Sequence, residues 1–301
     1  MYPFRNILLP TNFSPNCRSA IKYAAAFGHR YGAAIYLHNA QEGSLPPQAL
    51  LLSDRTLSEH GYDWITAIKK ELKELSEHPL FKGLNVHLLL SEGSAASEIK
   101  RMTEVYNIDL ITMATSSKSG LKSRFAGSCA VDVMLSTNCP ILFTRTAMHD
   151  FVYHHHGEIK LALNRILFAT NLSQDDEAAK RLAIQLARDN DAELKVLHCL
   201  GSIIKYFSAL SLSDKAHEHL KEQAFIKLDE IRKEADKVAV ETILSEDRFH
   251  QELERISTEK EIDLIVIGSD AHRSSGFSSS GSGAERVIRT ATRPVLVVKN
   301  L

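Results

Sequence analysis

The chain has 301 residues, 44% hydrophobic and 24% charged, an ordinary globular composition with room for two domains of about 150 residues each. Lys and Arg total 36 and Asp and Glu total 37, so no strong field of one sign favours a nucleic acid or an anionic membrane. No apolar run approaches the roughly 20 residues of a membrane-spanning helix, and the start enters a strand rather than a signal peptide. We therefore expect a cytoplasmic protein whose partners include neither nucleic acid nor membrane.

The first half alternates predicted strands and helices. The apolar run 7–10 predicts a strand, and Ser14-Pro15 predicts a helix start, because serine caps helices and proline fits the first helical position. A strand at 33–38, a long polar helix near 54–78 and a strand at 84–90 follow. After a third helix, the continuous apolar run 109–113 is typical of a strand covered on both faces. A helix at 128–136 and a last strand at 141–145 complete the half.

A polar segment with three consecutive histidines, His154, His155 and His156, separates the halves. In an extended chain His154 and His156 face one side, but no Cys, Asp or Glu is spaced to complete a metal site. We therefore predict an exposed linker and no metal. The four cysteines have no paired spacing and are interpreted as reduced, mostly buried thiols.

The second half repeats the first. Its opening, 164–173, matches 5–14, and 260–299 lies over 106–145 for 40 residues without a gap, with ten identities. Ser173 is predicted to cap the first helix, with Asp175 and Asp176 in its first turn, where acidic groups suit the helix dipole. Strands are predicted at 193–198, 238–244, 263–267 and 295–299, and helices at 213–237 and 282–290. His38 and His198, in LHNA and LHCL, are interpreted as equivalent residues of the second strand.

The repeat predicts a domain at 1–147, a linker at 148–160 and a domain at 161–301. Five strands alternating with four helices imply a doubly wound, mainly parallel sheet in each domain. In such folds ligands bind beyond the carboxyl ends of the strands, where the winding reverses. The loops after the first and fourth strands should form that crevice, and helix N-termini there favour an anion such as phosphate.

The openings ILLPTNFS and ILFATNLS, and the endings GSCAVDV with CPILF and GSGAERV with RPVLVV, resemble the universal stress protein family. The resemblance covers nearly the whole chain as a tandem pair. It implies an α/β fold of the adenine nucleotide alpha hydrolase-like type, with two doubly wound five-stranded parallel sheets in strand order 3-2-1-4-5. It also implies a role in the stress response and domains paired through their last strands, as a pseudo-dimer within the chain or across a homodimer. Some members bind ATP between the first and fourth strands, so ATP or another adenine nucleotide is the expected ligand.

Nucleotide-binding members carry Gly, two residues, Gly, nine residues and then Gly-Ser or Gly-Thr. The second half keeps this pattern with Gly268, with alanine in place of the second glycine, and with Gly281-Ser282. The resemblance therefore places the better site in the second domain. Its expected residues are Ala169, Thr170, Asn171, Gly268, Ser269, Ala271, Gly281, Ser282 and Gly283.

The first half has Ala114 and Ser117 at the leading glycine positions and keeps only Gly127-Ser128. Both halves have asparagine, Asn12 and Asn171, where nucleotide-binding relatives usually have aspartate near the adenosine, which removes a charge but keeps hydrogen bonding. A degenerate first-domain site is expected. Its residues are Pro10, Thr11, Asn12, Ala114, Ser117, Gly127 and Ser128.

Two other functions stay open. Neither a Gly-x-Ser-x-Gly elbow, nor a Walker-type loop, nor a metal-ligand cluster is present, so no catalytic residue is predicted and an enzyme is the weaker hypothesis. A protein-interaction scaffold with degenerate sites is the alternative, motivated by Ala114, Ser117 and Ala271 and by the two asparagines, Asn12 and Asn171. A slow ATPase assisted by Asp270 or His272 is the third possibility. The conserved Gly-Ser pairs of the repeat also have a purely structural interpretation as helix caps and tight turns.

Overall fold

The structure is a computed structural model that describes residues 3–42, 54–115, 128–145, 149–155, 158–201, 214–269 and 283–300. Two compact units are defined by their internal contacts. The first comprises Met1–Cys139 with His154–Lys160, and the second comprises Pro140–Tyr153 with Leu161–Leu301. The boundaries at 147 and 161 stay predictions. None of the described helices combines the length and apolar character needed to cross a membrane.

Strands and helices alternate along the first unit. Its strands are parallel neighbours in the order β3-β2-β1-β4, so the winding reverses between β1 and β4. The elements are β1 (Asn6–Pro10), α1 (Arg18–Tyr31), β2 (Ala34–Gln41), α2 (Asp54–Ser76), β3 (Val86–Glu92), α3 (Ala95–Val105), β4 (Leu110–Ala114) and α4 (Ser128–Ser136).

The second unit contains a complete copy of the expected strand order. Its elements are β5 (Ile141–Thr144), β8 (Arg165–Ala169), α5 (Glu177–Asn190), β9 (Glu193–Cys199), α6 (Asp214–Glu234), β10 (Val240–Ser245), α7 (Phe249–Glu259), β11 (Leu264–Gly268), α8 (Gly283–Thr290) and β12 (Val295–Val298). The parallel strands lie in the order β10-β9-β8-β11-β12, which is 3-2-1-4-5. The last strand of the first repeat, β5, pairs antiparallel with β12.

Part of the segment between the repeats forms strands. Strands β6 (Val152–His155) and β7 (Glu158–Leu161) form a separate two-stranded sheet. Phe151 is fully buried and Val152 is 7% exposed, because both are apolar and leave water when the hairpin forms. Phe151 and Val152 are therefore not exposed, whereas an exposed linker at His154, His155 and His156 stays a prediction.

The doubly wound α/β fold class is confirmed. Ile7, Leu8 and Leu9 of β1 are fully buried, and so is the run from Leu264 to Ile267 of β11. Consecutive buried residues occur where a strand is covered on both faces, as in a parallel sheet with helices on either side. The core of each unit therefore lies along the strands that border the winding reversal.

An aspartate at the start of the fourth strand of each copy holds the start of the first strand. Asp109 Oδ2 accepts hydrogen bonds from the backbone N–H groups of Arg5 and Asn6, at 2.8 and 3.0 Å. Asp263 Oδ2 accepts in the same way from Asn164 and Arg165, at 2.8 and 2.9 Å. Hydrogen bonds to a charged acceptor are stronger than neutral ones. The repeated clamp aligns the two strands whose far ends form the crevice.

Asp263→Ala is expected to lower the free energy of unfolding by about 2–4 kcal/mol, because two backbone donors lose a charged acceptor in a poorly hydrated place. Asp263 Oδ1 also lies 2.9 Å from His149 Nε2, so that contact is lost too. Urea-induced unfolding followed by circular dichroism measures the change. The exposed Asp236→Ala is the control and should change stability by less than about 0.5 kcal/mol. Equal effects of the two substitutions would contradict the clamp.

Candidate functional site

A cavity of about 630 Å³ opens at the carboxyl ends of β1, β2 and β4 in the first unit. Its walls are the loop after β1, the end of β2, the first turns of α3 and α4, and the end of β4. This is the edge of the sheet where the winding reverses, which is where doubly wound folds bind ligands. The volume lies within the roughly 300–1,000 Å³ of typical small-molecule sites.

Four of the residues expected in the first-domain site line this cavity together. They are Pro10, Thr11, Asn12 and Ala114. Ser128 begins α4, whose next two residues, Cys129 and Ala130, also line the cavity. Ser117 and Gly127 lie outside the described residues. Four of the five described members of the first set thus lie at this cavity, and their role in binding stays a prediction.

The loop after β1 is shaped by its own side chains. Asn12 Oδ1 accepts from the Ser14 backbone N–H and from Cys17 Sγ, both at 3.1 Å. Thr11 Oγ1 accepts from the N–H of Phe13 at 2.9 Å, and Phe13 has φ 59°, which is uncommon for a bulky residue. An asparagine oxygen satisfies these donors as an aspartate would, so Asn12 keeps the turn of the loop.

The same turn recurs in the second copy. Asn171 Oδ1 accepts from the Ser173 N–H at 2.8 Å, and Thr170 Oγ1 accepts from the N–H of Leu172, which has φ 61°. The predicted caps behave differently, however. Ser173 caps its helix by accepting from Asp175 N, whereas Ser14 makes no capping hydrogen bond and lies 3.6 Å from the Cys17 sulfur instead.

The electrostatics of the cavity come mainly from helix ends. The first turn of α4 reaches the wall, so its positive dipole end favours an anionic group there. Glu42 Oε1 accepts from the Ala95 N–H at 3.2 Å and so occupies the equivalent place at α3. Among the described lining residues Glu42 is the charged one, and none is Lys or Arg. Partial desolvation of the sulfur first, then the nearby Asp132, Glu42 and Cys17, raises the pKa of the Cys129 thiol, which keeps it protonated at neutral pH.

In the second unit an aspartate takes up the corresponding crevice. Asp176 is 2% exposed, and its Oδ2 accepts from Thr170 Oγ1 at 2.7 Å and from Asn171 N at 2.8 Å. Its Oδ1 occupies the space that a Cβ at residue 268 would need. The predicted residues Thr170, Asn171 and Gly268 do come together, but around Asp176. Asp175 and Asp176 lie in the first turn as predicted, and Asp176 has these loop contacts in addition.

The other residues expected in the second site are placed as follows. Ala169 is fully buried at the end of β8, and Gly283 is the first residue of α8. The Ser269 N–H donates to the Val298 carbonyl at 2.9 Å, continuing the β11–β12 ladder. Ala271, Gly281 and Ser282 lie outside the described residues. Asp176 was not predicted as a site residue, because an acidic residue in the first turn of a helix is already accounted for by the helix dipole.

Side chains of different size stand at matching positions around the two crevices. Cys17, at the cavity, is matched in the opening alignment by Asp176. Ala95, also at the cavity, is the first residue of α3, and the first residue of the equally long α7 is Phe249, which is 6% exposed. At these two positions the first copy has the smaller, uncharged residue and the second copy has the larger or charged one.

The interpretation of His38 and His198 as equivalent residues is wrong by one position. Pro10 pairs with His38, whereas the matching Ala169 pairs with Leu197. Asn39 Nδ2 donates to the Thr11 carbonyl at 2.8 Å, and His198 Nδ1 lies 2.9 Å from the Thr170 carbonyl in the same way. Since successive strand side chains alternate between faces, His38 points to the opposite face from His198.

Fold and crevice together define a tandem, doubly wound α/β protein with a ligand-sized cavity at the winding reversal of its first copy. The sequence model of the universal stress protein family matches residues 3–145 and again 162–299. The chain therefore belongs to the universal stress protein family, with two copies of its domain.

Individual relatives agree with this membership. A universal stress protein of Methanocaldococcus jannaschii is 29% identical over 147 residues, which cover 47% of this chain and 82% of the relative. Universal stress protein YxiE of Bacillus subtilis is 28% identical over 153 residues, covering 45% of this chain and 99% of its own length. The crystal structure of a universal stress protein from Archaeoglobus fulgidus superposes with TM-score 0.66 at 20% identity, covering 98% of this chain and 96% of that chain. At that identity the superposition shows the shared fold.

Gly268→Ala is expected to destabilise the protein by about 1–3 kcal/mol, because the added methyl group overlaps the Asp176 carboxylate and must displace it. In an Asp176→Ala background the same substitution should cost much less, since the obstructing atom is gone. The reciprocal Ala114→Gly in the first copy is the control, because its methyl group borders an open cavity. Urea unfolding of the four variants measures the coupling. Additive effects of Gly268→Ala and Asp176→Ala would contradict the contact.

Proposed function

We propose that the protein is a stress-response protein that binds an adenine nucleotide, ATP, ADP or AMP, in the cavity of its first copy. The observation that carries the proposal is the cavity itself. It is large enough for such a ligand, it lies at the carboxyl ends of β1 and β4, and it is lined by Pro10, Thr11, Asn12 and Ala114. Family membership supplies the ligand class, since binding of ATP between these strands is what the resemblance implies for some members.

The helix end at the cavity supports placing the phosphates near α4. Cys129 and Ala130 bring its first turn to the wall, where backbone N–H groups and the helix dipole suit a phosphate. Glu42 lies on the α3 side of the same cavity and disfavours an anion there. A nucleotide is therefore expected to direct its phosphates towards α4 and its uncharged part towards β2 and α3.

The second domain, which keeps more of the glycine motif, is a weaker proposal on these contacts. The Asp176 carboxylate lies where a ligand would approach Gly268, and its negative charge disfavours a phosphate at that place. Nucleotide binding there, involving Gly281 and Ser282, stays a prediction.

A scaffold role is the second candidate function, favoured by the filled crevice of the second copy. Asp176 accepts hydrogen bonds from Thr170 and Asn171, so these two donors are satisfied from within the chain. The pseudo-dimer of the two domains, a homodimer and the cytoplasmic location likewise stay predictions.

Calorimetric titration with ATP, ADP and AMP should show one adenine nucleotide bound per chain. Ala95→Phe should weaken binding at least about tenfold, because it places in the first copy the side chain that the second copy has at the start of α7. Phe249→Ala is the matched control and should leave the affinity unchanged. The absence of heat and of any shift in melting temperature at millimolar nucleotide would remove the proposal.

Cysteine labelling should locate the ligand. Cys129 is exposed and lines the cavity, so a bound nucleotide should slow its alkylation at pH 8.5, where the raised pKa still leaves some thiolate. Cys199 is buried in the second unit and serves as the internal control. Mass spectrometry of labelled peptides measures both. Nucleotide binding without protection of Cys129 would place the ligand elsewhere.

A further inference from the structure

His38 is a buried histidine in the wall of the first-copy cavity. It is 1% exposed, and it is among the residues that line the cavity at the end of β2. The matching residue of the second copy is Leu197, which is fully buried. The first copy thus has a polar ring at a position where the second copy has an apolar side chain.

One ring nitrogen of His38 has a partner. Its Nε2 lies 2.8 Å from Ser91 Oγ. The pKa of Glu98 is lowered first by its hydrogen bonds from Arg101 and additionally by the nearby Ser91 hydroxyl. Arg101 holds this carboxylate through Nε at 3.0 Å and Nη2 at 2.7 Å.

The surroundings of Ser91 favour one tautomer of His38. An ionised carboxylate only accepts, so the Ser91 hydroxyl lowers the pKa of Glu98 by directing its single proton towards that carboxylate. With the hydroxyl in that orientation Ser91 Oγ accepts from His38, and we infer that the ring carries its proton on Nε2. Burial lowers the pKa of His38 to about 4, so the ring is neutral near pH 7 and Nδ1 is a bare acceptor.

No hydrogen-bond donor in the described structure meets this Nδ1. In the first copy Asn39, and not His38, makes the contact to the Thr11 carbonyl that corresponds to the contact of His198 with the Thr170 carbonyl in the second copy. A buried acceptor without a donor is unfavourable, and native proteins contain few of them. The unmet atom belongs to a ring that borders a ligand-sized cavity.

We propose that His38 Nδ1 is a specificity-determining acceptor for the ligand of this cavity, and that it pairs with a hydroxyl or amino group of the ligand's uncharged part. The inference rests on the proposed function and refines it. A phosphate or carboxylate has no proton to give at neutral pH and is repelled by a lone pair, so the anionic end of the ligand lies away from His38. A sugar hydroxyl and the adenine amino group are the donors that an adenine nucleotide offers.

Nitrogen-15 NMR of the ligand-free protein tests the tautomer directly. The two histidines of the second strands are expected to differ, with the proton on Nε2 in His38 and on Nδ1 in His198, where it is donated to a carbonyl. On addition of AMP the nitrogen-15 chemical shift of His38 Nδ1 should change in the direction expected for an acceptor nitrogen that gains a hydrogen bond. The chemical shift of His198 Nδ1 should not change. A proton on Nδ1 of His38 would overturn the inference.

Affinity measurements test the pairing with the ligand. His38→Leu, which installs the residue found in the second copy, should weaken AMP binding about three- to tenfold, the range for one neutral hydrogen bond. His38→Asn, which can keep an acceptor near the Nδ1 position, should restore part of the loss. His198→Asn, which installs the residue found in the first copy, is the control and should have no effect.

Ligand analogues identify the donor. AMP is compared with its 2′-deoxy and 3′-deoxy forms and with the analogue that lacks the 6-amino group, against wild type and His38→Leu. One of the analogues should bind wild type more weakly than AMP does. The same analogue should bind His38→Leu as tightly as AMP binds that variant. Equal losses in both proteins, or AMP affinity unchanged by His38→Leu, would overturn this inference while leaving the proposed function intact. No binding of any analogue to wild type would remove the proposed function and this inference together.

Discussion

The parallel pairing of the first and fourth strands determines where the crevice lies in each copy. These strands are parallel, their connections leave in opposite directions, and an aspartate at the start of the fourth strand holds the start of the first. Their carboxyl ends must therefore meet at one edge of the sheet, with loops that diverge to either side. The left-handed residues Phe13 and Leu172 show that even the turn after the first strand is the same in both copies. What differs is the set of side chains that the common backbone directs into the crevice.

Side-chain volume and charge turn this one backbone into two different sites. With cysteine, histidine and alanine around it, the first crevice keeps a cavity and an unmet acceptor. In the second, Asp176 supplies from within the chain the acceptor that the loop donors need. The copy with the better glycine motif is thus the one whose glycine has a structural use, because only a residue without a Cβ leaves room for the carboxylate.

The fold was predictable because its strands and helices follow from local sequence patterns. Buried strands read as apolar runs, and the helix 128–136 was predicted with the bounds that α4 has. The crevice was also predictable, since its position follows from topology. The contents of the crevice were not. Asp176 looked like an ordinary acidic residue at a helix start, and the shared letters LH concealed a register in which His38 and His198 lie on opposite faces. Both errors concern where a side chain points, which depends on pairing across the sheet.

The open and the filled crevice impose opposite rules on sequence change. In the first copy, positions such as Ala95 and Ala114 have an upper limit on size, because any larger residue takes volume from the cavity. In the second copy the limit is a lower one at Phe249 and Asp176, where a smaller residue would leave a void or unpaired donors. Related tandem proteins should therefore drift differently in their two halves, with small residues retained around one crevice and space-filling residues retained around the other.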